Sequence, residues 1–87
     1  MSKTILITGV GGFIGFHLSK YLLIKKYNII GLDNLNNYYD KKIKIDRLNI
    51  LKKFKTFRFL KIDILNLNRL KNVFKKYKFE KIIHLAA

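Results

Sequence analysis

The sequence predicts an α/β fold, a parallel sheet of four strands with helices on both faces. Three observations carry this. Short apolar runs alternate with longer stretches of helical periodicity. The first run, Thr4-Ile5-Leu6-Ile7, passes straight into Thr8-Gly-Val-Gly-Gly-Phe-Ile-Gly15, a glycine-rich turn that opens a helix. An acid, Asp33, then ends the second run, about 20 residues past the glycines. Strands separated by helices form a parallel sheet with right-handed crossovers. The expected spatial order is 3-2-1-4, a Rossmann-like doubly wound sheet truncated to its first mononucleotide-binding half and one strand of the second.

The elements follow in order. Strand one is expected over Lys3–Thr8. Helix one runs from Gly12 to Lys26, with Ile14, Leu18, Tyr21 and Leu22 on a helical stripe. Strand two is Asn28–Asp33, made apolar by Ile29, Ile30 and Leu32. Asn34-Leu35-Asn36-Asn37 is turn-forming. Helix two spans Tyr39–Phe54, with Ile43, Arg47, Leu48 and Leu51 helically spaced. Strand three is Thr56–Ile62. Helix three is Asn66–Tyr77, carrying Leu67, Leu70, Val73 and Phe74 on one stripe. Strand four is Lys81–Leu85. No linker, repeat or low-complexity block interrupts the series.

Composition sets the outer bounds. The 87 residues make at most one small domain. A chain this short buries roughly 60–65% of its unfolded surface, so its stability is expected to be marginal. With no Cys, disulfides and thiolate metal sites are excluded. No apolar run approaches the ~20 residues of a membrane span. The chain enters its first strand without a signal-peptide pattern, so a cytoplasmic location is expected. The net charge of +14 raises the question of nucleic-acid binding. The lysines are spread over every helix and loop without a recognition motif, so a solvated basic surface is the reading taken. No specific nucleic-acid partner is expected.

The glycine turn carries the first chemistry. Gly9 can take a backbone conformation that a residue with a Cβ resists. Gly12 brings no side chain between the backbone and a phosphate, and Gly15 lets the helix pack closely on the strand. A helix starting near Gly12 aims backbone N–H groups and the positive end of its dipole at an anion. At the end of strand two, Asp33 is placed to accept hydrogen bonds from the adenosine ribose of a dinucleotide. Its charge disfavours a 2′-phosphate, which points to NAD over NADP. Asp63 ends strand three and is followed by Ile64. Two roles are open to it, receiving the adenine amino group while Ile64 packs on the ring, or capping the segment from Leu65. Strand four ends in His84-Leu85-Ala86-Ala87, whose small residues leave room for the cofactor. His84 is expected to make a structural hydrogen bond and His17 to be a partly buried helix residue. Two isolated histidines make no metal site.

Taken together, Thr8-Gly-x-x-Gly-Phe-Ile-Gly15, Asp33-Asn34-Leu35, Asp63-Ile64 and His84-Leu-Ala-Ala87 resemble the extended short-chain dehydrogenase/reductase family, the NAD-dependent sugar-nucleotide epimerases and dehydratases. The stretch Gly31-Leu-Asp-Asn-Leu-Asn-Asn-Tyr-Tyr-Asp40, followed by Lys44 and Asp46-Arg47-Leu48, is similar to a segment of the UDP-glucuronate 4-epimerases and related capsule or lipopolysaccharide epimerases. The resemblance covers the whole chain but only the first part of a family member. It implies NAD as cofactor, with Gly9, Gly12 and Gly15 at the pyrophosphate and the backbone of Phe13 and Ile14 nearby. Asp33 and Asn34 would bind the adenosine ribose, and Asp63 and Ile64 the adenine. Leu85, Ala86 and Ala87 would line the pyrophosphate–nicotinamide side.

A family member oxidises a sugar C4 hydroxyl by hydride transfer to NAD and returns the hydride to the opposite face of the 4-keto sugar. That chemistry needs a Tyr-x-x-x-Lys pair and a Ser or Thr beyond strand four, the lysine tuning the tyrosine as a general base. The chain ends before that region. The resemblance therefore implies an NAD-binding N-terminal part, residues 1–87, with no catalytic residue and no activity alone; a UDP-sugar would be a ligand only of the full-length family. Three internal matches, Tyr21/Lys25, Tyr38/Lys42 and Tyr77/Lys81, are read as chance in a lysine-rich chain. The apolar edge at Ile82-Ile83-His84-Leu85 is expected to favour association with another chain. Family dimers usually use helices beyond residue 87.

Overall fold

A computed structural model of the chain describes residues 4–35 and 41–86. Its elements run β1 (Thr4–Thr8), α1 (Phe13–Ile24), β2 (Asn28–Asp33), α2 (Lys41–Leu51), β3 (Phe57–Lys61), α3 (Leu67–Lys76) and β4 (Lys81–His84). All three strand pairings are parallel and the order is β3-β2-β1-β4, as the alternation of elements predicts. Register is set by Ile5 opposite both Ile29 and Lys81, and by Ile29 opposite Phe57.

Side chains alternate across a strand, so each strand feeds two cores. Ile5, Ile7, Ile29 and Phe57 face Phe16 and Leu23 of α1 and Leu48 and Leu51 of α2. Leu6, Ile30, Leu32 and Ile62 face Val73 of α3 on the opposite side. Helices therefore cover both faces, and β1 and β2 are buried on both. Each fully buried Leu or Ile contributes roughly 1.5–3 kcal/mol.

The element boundaries hold, with the ends trimmed. Lys3, Tyr39 and Asp40 lie outside the described residues. Gly12 is the N-cap of α1 rather than its first residue, and Asn66 is the N-cap of α3, its side chain accepting from the Arg69 N–H at 3.2 Å. Lys75 and Lys76 occupy the last turn of α3, where cations complement the helix dipole.

Helix α1 packs Leu18 and Leu22 of its expected stripe against the core but turns the other two residues outward. Ile14 is 65% exposed and Tyr21 58%, while Gly15, Phe16, Ser19 and Leu23 are buried. Apolar residues lie on every side of this helix, so periodicity alone does not choose the inner face. The small residues Gly15 and Ser19 decide it, because they let the helix lie closest to the sheet. His17, expected to be partly buried, is exposed against the rings of Phe13 and Phe16. Similarly, Ile43 of α2 and Leu67 and Phe74 of α3 are exposed, leaving Leu48, Leu51 and Val73 as the buried anchors.

The C-terminus of α1 has no glycine, yet it closes as a Schellman turn. The Tyr27 N–H bonds the Leu22 carbonyl at 3.1 Å and the Lys26 N–H bonds the Leu23 carbonyl at 2.9 Å, with Lys26 at φ 71°. A left-handed residue with a Cβ is strained there. Lys26→Gly is therefore expected to raise the unfolding free energy by about 0.5–1 kcal/mol, read as a higher urea midpoint at unchanged slope. An unchanged or lower midpoint contradicts this account of the turn.

Candidate functional site

The site is built at the C-terminal ends of the strands, where β1 runs into the glycine turn. Beyond Thr8 the chain crosses the end of β2, the Gly9 and Val10 N–H groups both donating to the Leu32 carbonyl at 2.8 and 3.2 Å. Gly9 takes φ +73°, and a Cβ on it would sit 2.8 Å from the Leu85 carbonyl carbon and the Ala86 nitrogen. A Cβ on Gly15 would overlap the Gly9 carbonyl. These two glycines press α1, the turn and the end of β4 together.

Gly12 differs from them. A Cβ there would meet only the Gly9 oxygen, at 3.3 Å, and Gly12 lines the cleft. No side chain caps α1 at Gly12, and the first backbone N–H groups of a helix have no acceptor within it. The end of α1 is thus open to an anion, as a pyrophosphate cradle requires.

The cleft has a volume of about 500 Å³. Eight of the residues singled out in the sequence line it: Gly9, Gly12, Asp33, Asn34, Asp63, Ile64, Leu85 and Ala86. Gly15 lies buried beneath it, and Phe13 and Ile14 begin α1 with exposed side chains. Ala87 and the segment Asn36 to Asp40 lie outside the described residues.

Asp33 is the most connected group in the site. Its Oδ2 accepts from the Gly11 N–H at 2.8 Å, and its Oδ1 accepts from the Leu35 N–H at 2.8 Å and from Lys44 Nζ at 3.3 Å. Arg47, one turn on from Lys44, donates to the Gly11 carbonyl at 3.1 Å and lies over the Phe13 ring. Helix α2 is therefore tied to Asp33 through Lys44 and to the glycine turn through Arg47. Gly11 itself has no room for a Cβ, which would lie 2.9 Å from Asp33 Oδ2.

Asp63 does not cap α3, since Asn66 does. Its Oδ1 accepts from the Leu65 N–H at 2.9 Å in a local turn that holds Ile64 at the cleft. On the other side of the cleft, the Thr8 hydroxyl accepts from the Leu85 and Ala86 N–H groups at 3.0 and 3.3 Å. The Thr8 hydroxyl also lies 2.7 Å from His84 Nδ1, the structural hydrogen bond expected of His84. Sequence reasoning assigned no role to Thr8 or Gly11, and none to Lys44 or Arg47. The spacing of the two cations, one turn apart on α2, was the available signal. Neither Tyr21 nor Tyr77 reaches the cleft. Tyr21 lies on the exposed side of α1 beneath Lys25, and Tyr77 faces Thr4 and Asn28 at the strand N-termini.

A glycine turn, an uncapped helix and a buried strand-end acid over an open cleft define the adenosine half of a dinucleotide-binding α/β domain. A family model described as GDP-mannose 4,6 dehydratase matches residues 6–87, and the chain belongs to that family of NAD-dependent epimerases and dehydratases. It is 48% identical over 82 residues to a UDP-glucuronate 4-epimerase of Thermodesulfobacterium geofontis, covering 94% of this chain and 25% of that protein. A crystal structure of the Bacillus cereus UDP-glucuronic acid 4-epimerase with UDP-glucuronic acid and NAD superposes with a TM-score of 0.84 at 33% identity, over 97% of this chain and 26% of that one. The dTDP-glucose 4,6-dehydratase of Bacillus anthracis with NAD gives 0.84 at 30% identity, over 99% and 27%. The chain spans about a quarter of the length of these relatives.

Two glycine variants separate the roles within the turn. Gly15→Ala is expected to lower stability by more than about 2 kcal/mol, because backbone would have to move, visible as a loss of the cooperative thermal transition. Gly12→Ala is expected to keep the melting temperature within a few degrees yet weaken dinucleotide binding by at least about tenfold. Equal melting temperatures for the two variants would contradict the assignment.

Proposed function

We propose that the chain is the NAD-binding N-terminal part of a sugar-nucleotide 4-epimerase of the UDP-glucuronate type. The cleft, lined by Gly12 at the open end of α1 and by Asp33 at the end of β2, supports the cofactor half of this reading, and the likeness to UDP-glucuronate 4-epimerases supports the rest. The residues fit the cofactor. Gly9 and Gly12 would hold the pyrophosphate against the first turn of α1, above Gly15 and with the backbone of Phe13 and Ile14 beside it. Asp33 and Asn34 would receive the adenosine ribose, and Asp63 and Ile64 the adenine. Leu85 and Ala86, with Ala87 beyond them, would border the nicotinamide side.

When bound, NAD supplies a hydride acceptor at the sugar C4. The described residues orient it and hold its charge, and none is assigned a catalytic role. Proton transfer from a sugar hydroxyl needs a general base near the nicotinamide, and neither Tyr21 nor Tyr77 is placed for that. The substrate is a UDP-sugar in the complete enzyme and the location cytoplasmic. A 4,6-dehydratase is the second reading, favoured by the equal superposition on the Bacillus anthracis dehydratase.

The half-exposed Ile82 on β4, the outer strand of the sheet beside β1, gives a surface on which a further chain could complete the sheet. No membrane or specific nucleic acid enters this function. Among the described residues, no helix is long and apolar enough to cross a membrane.

Isothermal titration of the chain with NAD is expected to show saturable binding in one-to-one ratio, lost in Gly12→Ala. The chain alone is expected to leave UDP-glucuronate unchanged by chromatography. Absence of any NAD heat from the folded chain overturns the cofactor reading, and turnover by the pure chain overturns the assignment of catalysis to other residues.

A further inference from the structure

Asp33 was expected to select NAD by repelling a 2′-phosphate. The structure gives that carboxylate a cationic neighbour. Lys44 Nζ lies 3.3 Å from Asp33 Oδ1, the Asp33 side chain is only 2% exposed, and that of Lys44 is 17% exposed. Both line the cleft.

A carboxylate has about four lone-pair positions. The Gly11 N–H, the Leu35 N–H and Lys44 occupy three. Asp33 can therefore still accept one ribose hydroxyl, but it meets the ribose as half of a neutral pair. The more exposed side chain of that pair is Lys44. A 2′-phosphate brought to this end of the cleft would meet the Lys44 cation beside a carboxylate already neutralised, with the Arg47 guanidinium one turn further along the same helix.

We propose that Lys44 is the specificity-determining residue for the ribose 2′-substituent, and that it admits a 2′-phosphorylated dinucleotide alongside NAD. This deepens the dinucleotide reading and rests on it. Attraction between unit charges about 4 Å apart near a protein surface is enough to change a binding ratio about tenfold.

The test uses the adenosine half that this chain carries. ADP-ribose and 2′-phospho-ADP-ribose are titrated calorimetrically into the wild type, Lys44→Met and Lys44→Arg at low and high salt. Circular dichroism establishes that each variant is folded. The wild type is expected to bind the two ligands within about tenfold of each other. Lys44→Met keeps the aliphatic contact and removes the charge. It should weaken the 2′-phosphorylated ligand at least about tenfold more than it weakens ADP-ribose. Lys44→Arg should keep the wild-type ratio. Added salt should weaken the 2′-phosphorylated ligand more than ADP-ribose in the wild type, and should lose that difference in Lys44→Met.

Equal weakening of both ligands in Lys44→Met would make Lys44 a positioning residue for Asp33 and overturn the proposal, as would rejection of the 2′-phosphorylated ligand by the wild type. Both of those outcomes retain ADP-ribose binding by the wild type, so the dinucleotide reading survives them. If the folded wild type binds neither ligand, that reading fails and the proposal with it.

Discussion

The peptide of Gly9 is the point on which the rest of the structure depends. It is held between the start of α1, where Gly15 lies against its carbonyl, and the end of β4, where Leu85 and Ala86 lie against its α-carbon. Side chains at either glycine would push the helix off the sheet or the strand off the turn. Because neither has one, α1 can start directly above the strand ends with its N-terminus facing the cleft. Close packing and a helix N-terminus open to the cleft thus have one cause. The chain reverses so tightly that the first helical turn and the ends of β2 and β4 border the same space.

The second constraint is the buried charge of Asp33. A carboxylate removed from water must be satisfied, and this one is satisfied by two backbone N–H groups and an ammonium. The bond to Gly11 ties the end of β2 to the glycine turn, Lys44 ties α2 to Asp33, and Arg47 ties α2 to the turn. The acid that would receive a ribose is therefore also the group that assembles the walls of its own site. A substitution at Asp33 acts on turn geometry as well as on ligand affinity, so binding data at that position report both.

Apolar exposure is uneven over the chain. Phe13, Ile14, Tyr21 and Ile24 on α1 and Ile82 on β4 are exposed, while the middle of the sheet is buried on both faces. The adenosine side of the cleft is formed by β1, β2, β3 and the helices between them. On the opposite side, only the end of β4 borders it among the described residues.

The order of elements, the parallel 3-2-1-4 sheet and most of the cleft residues could be read from the chain directly. Each is a local pattern: apolar runs for the strands, glycines where a Cβ cannot fit, acids at the strand ends. The choice of inner face on α1 could not be read, since Ile14 and Tyr21 are as apolar as the residues buried in their place. Contact with the sheet favoured the small side chains of Gly15 and Ser19. The role of Gly11 was equally hidden, because its lack of a Cβ matters only once Asp33 folds back beneath it. The same holds for Lys44 and for Thr8. The docking of α2 brings Lys44 to Asp33, 11 residues away, and the parallel register of the sheet brings Thr8 to the His84–Ala86 segment at the far end of the chain.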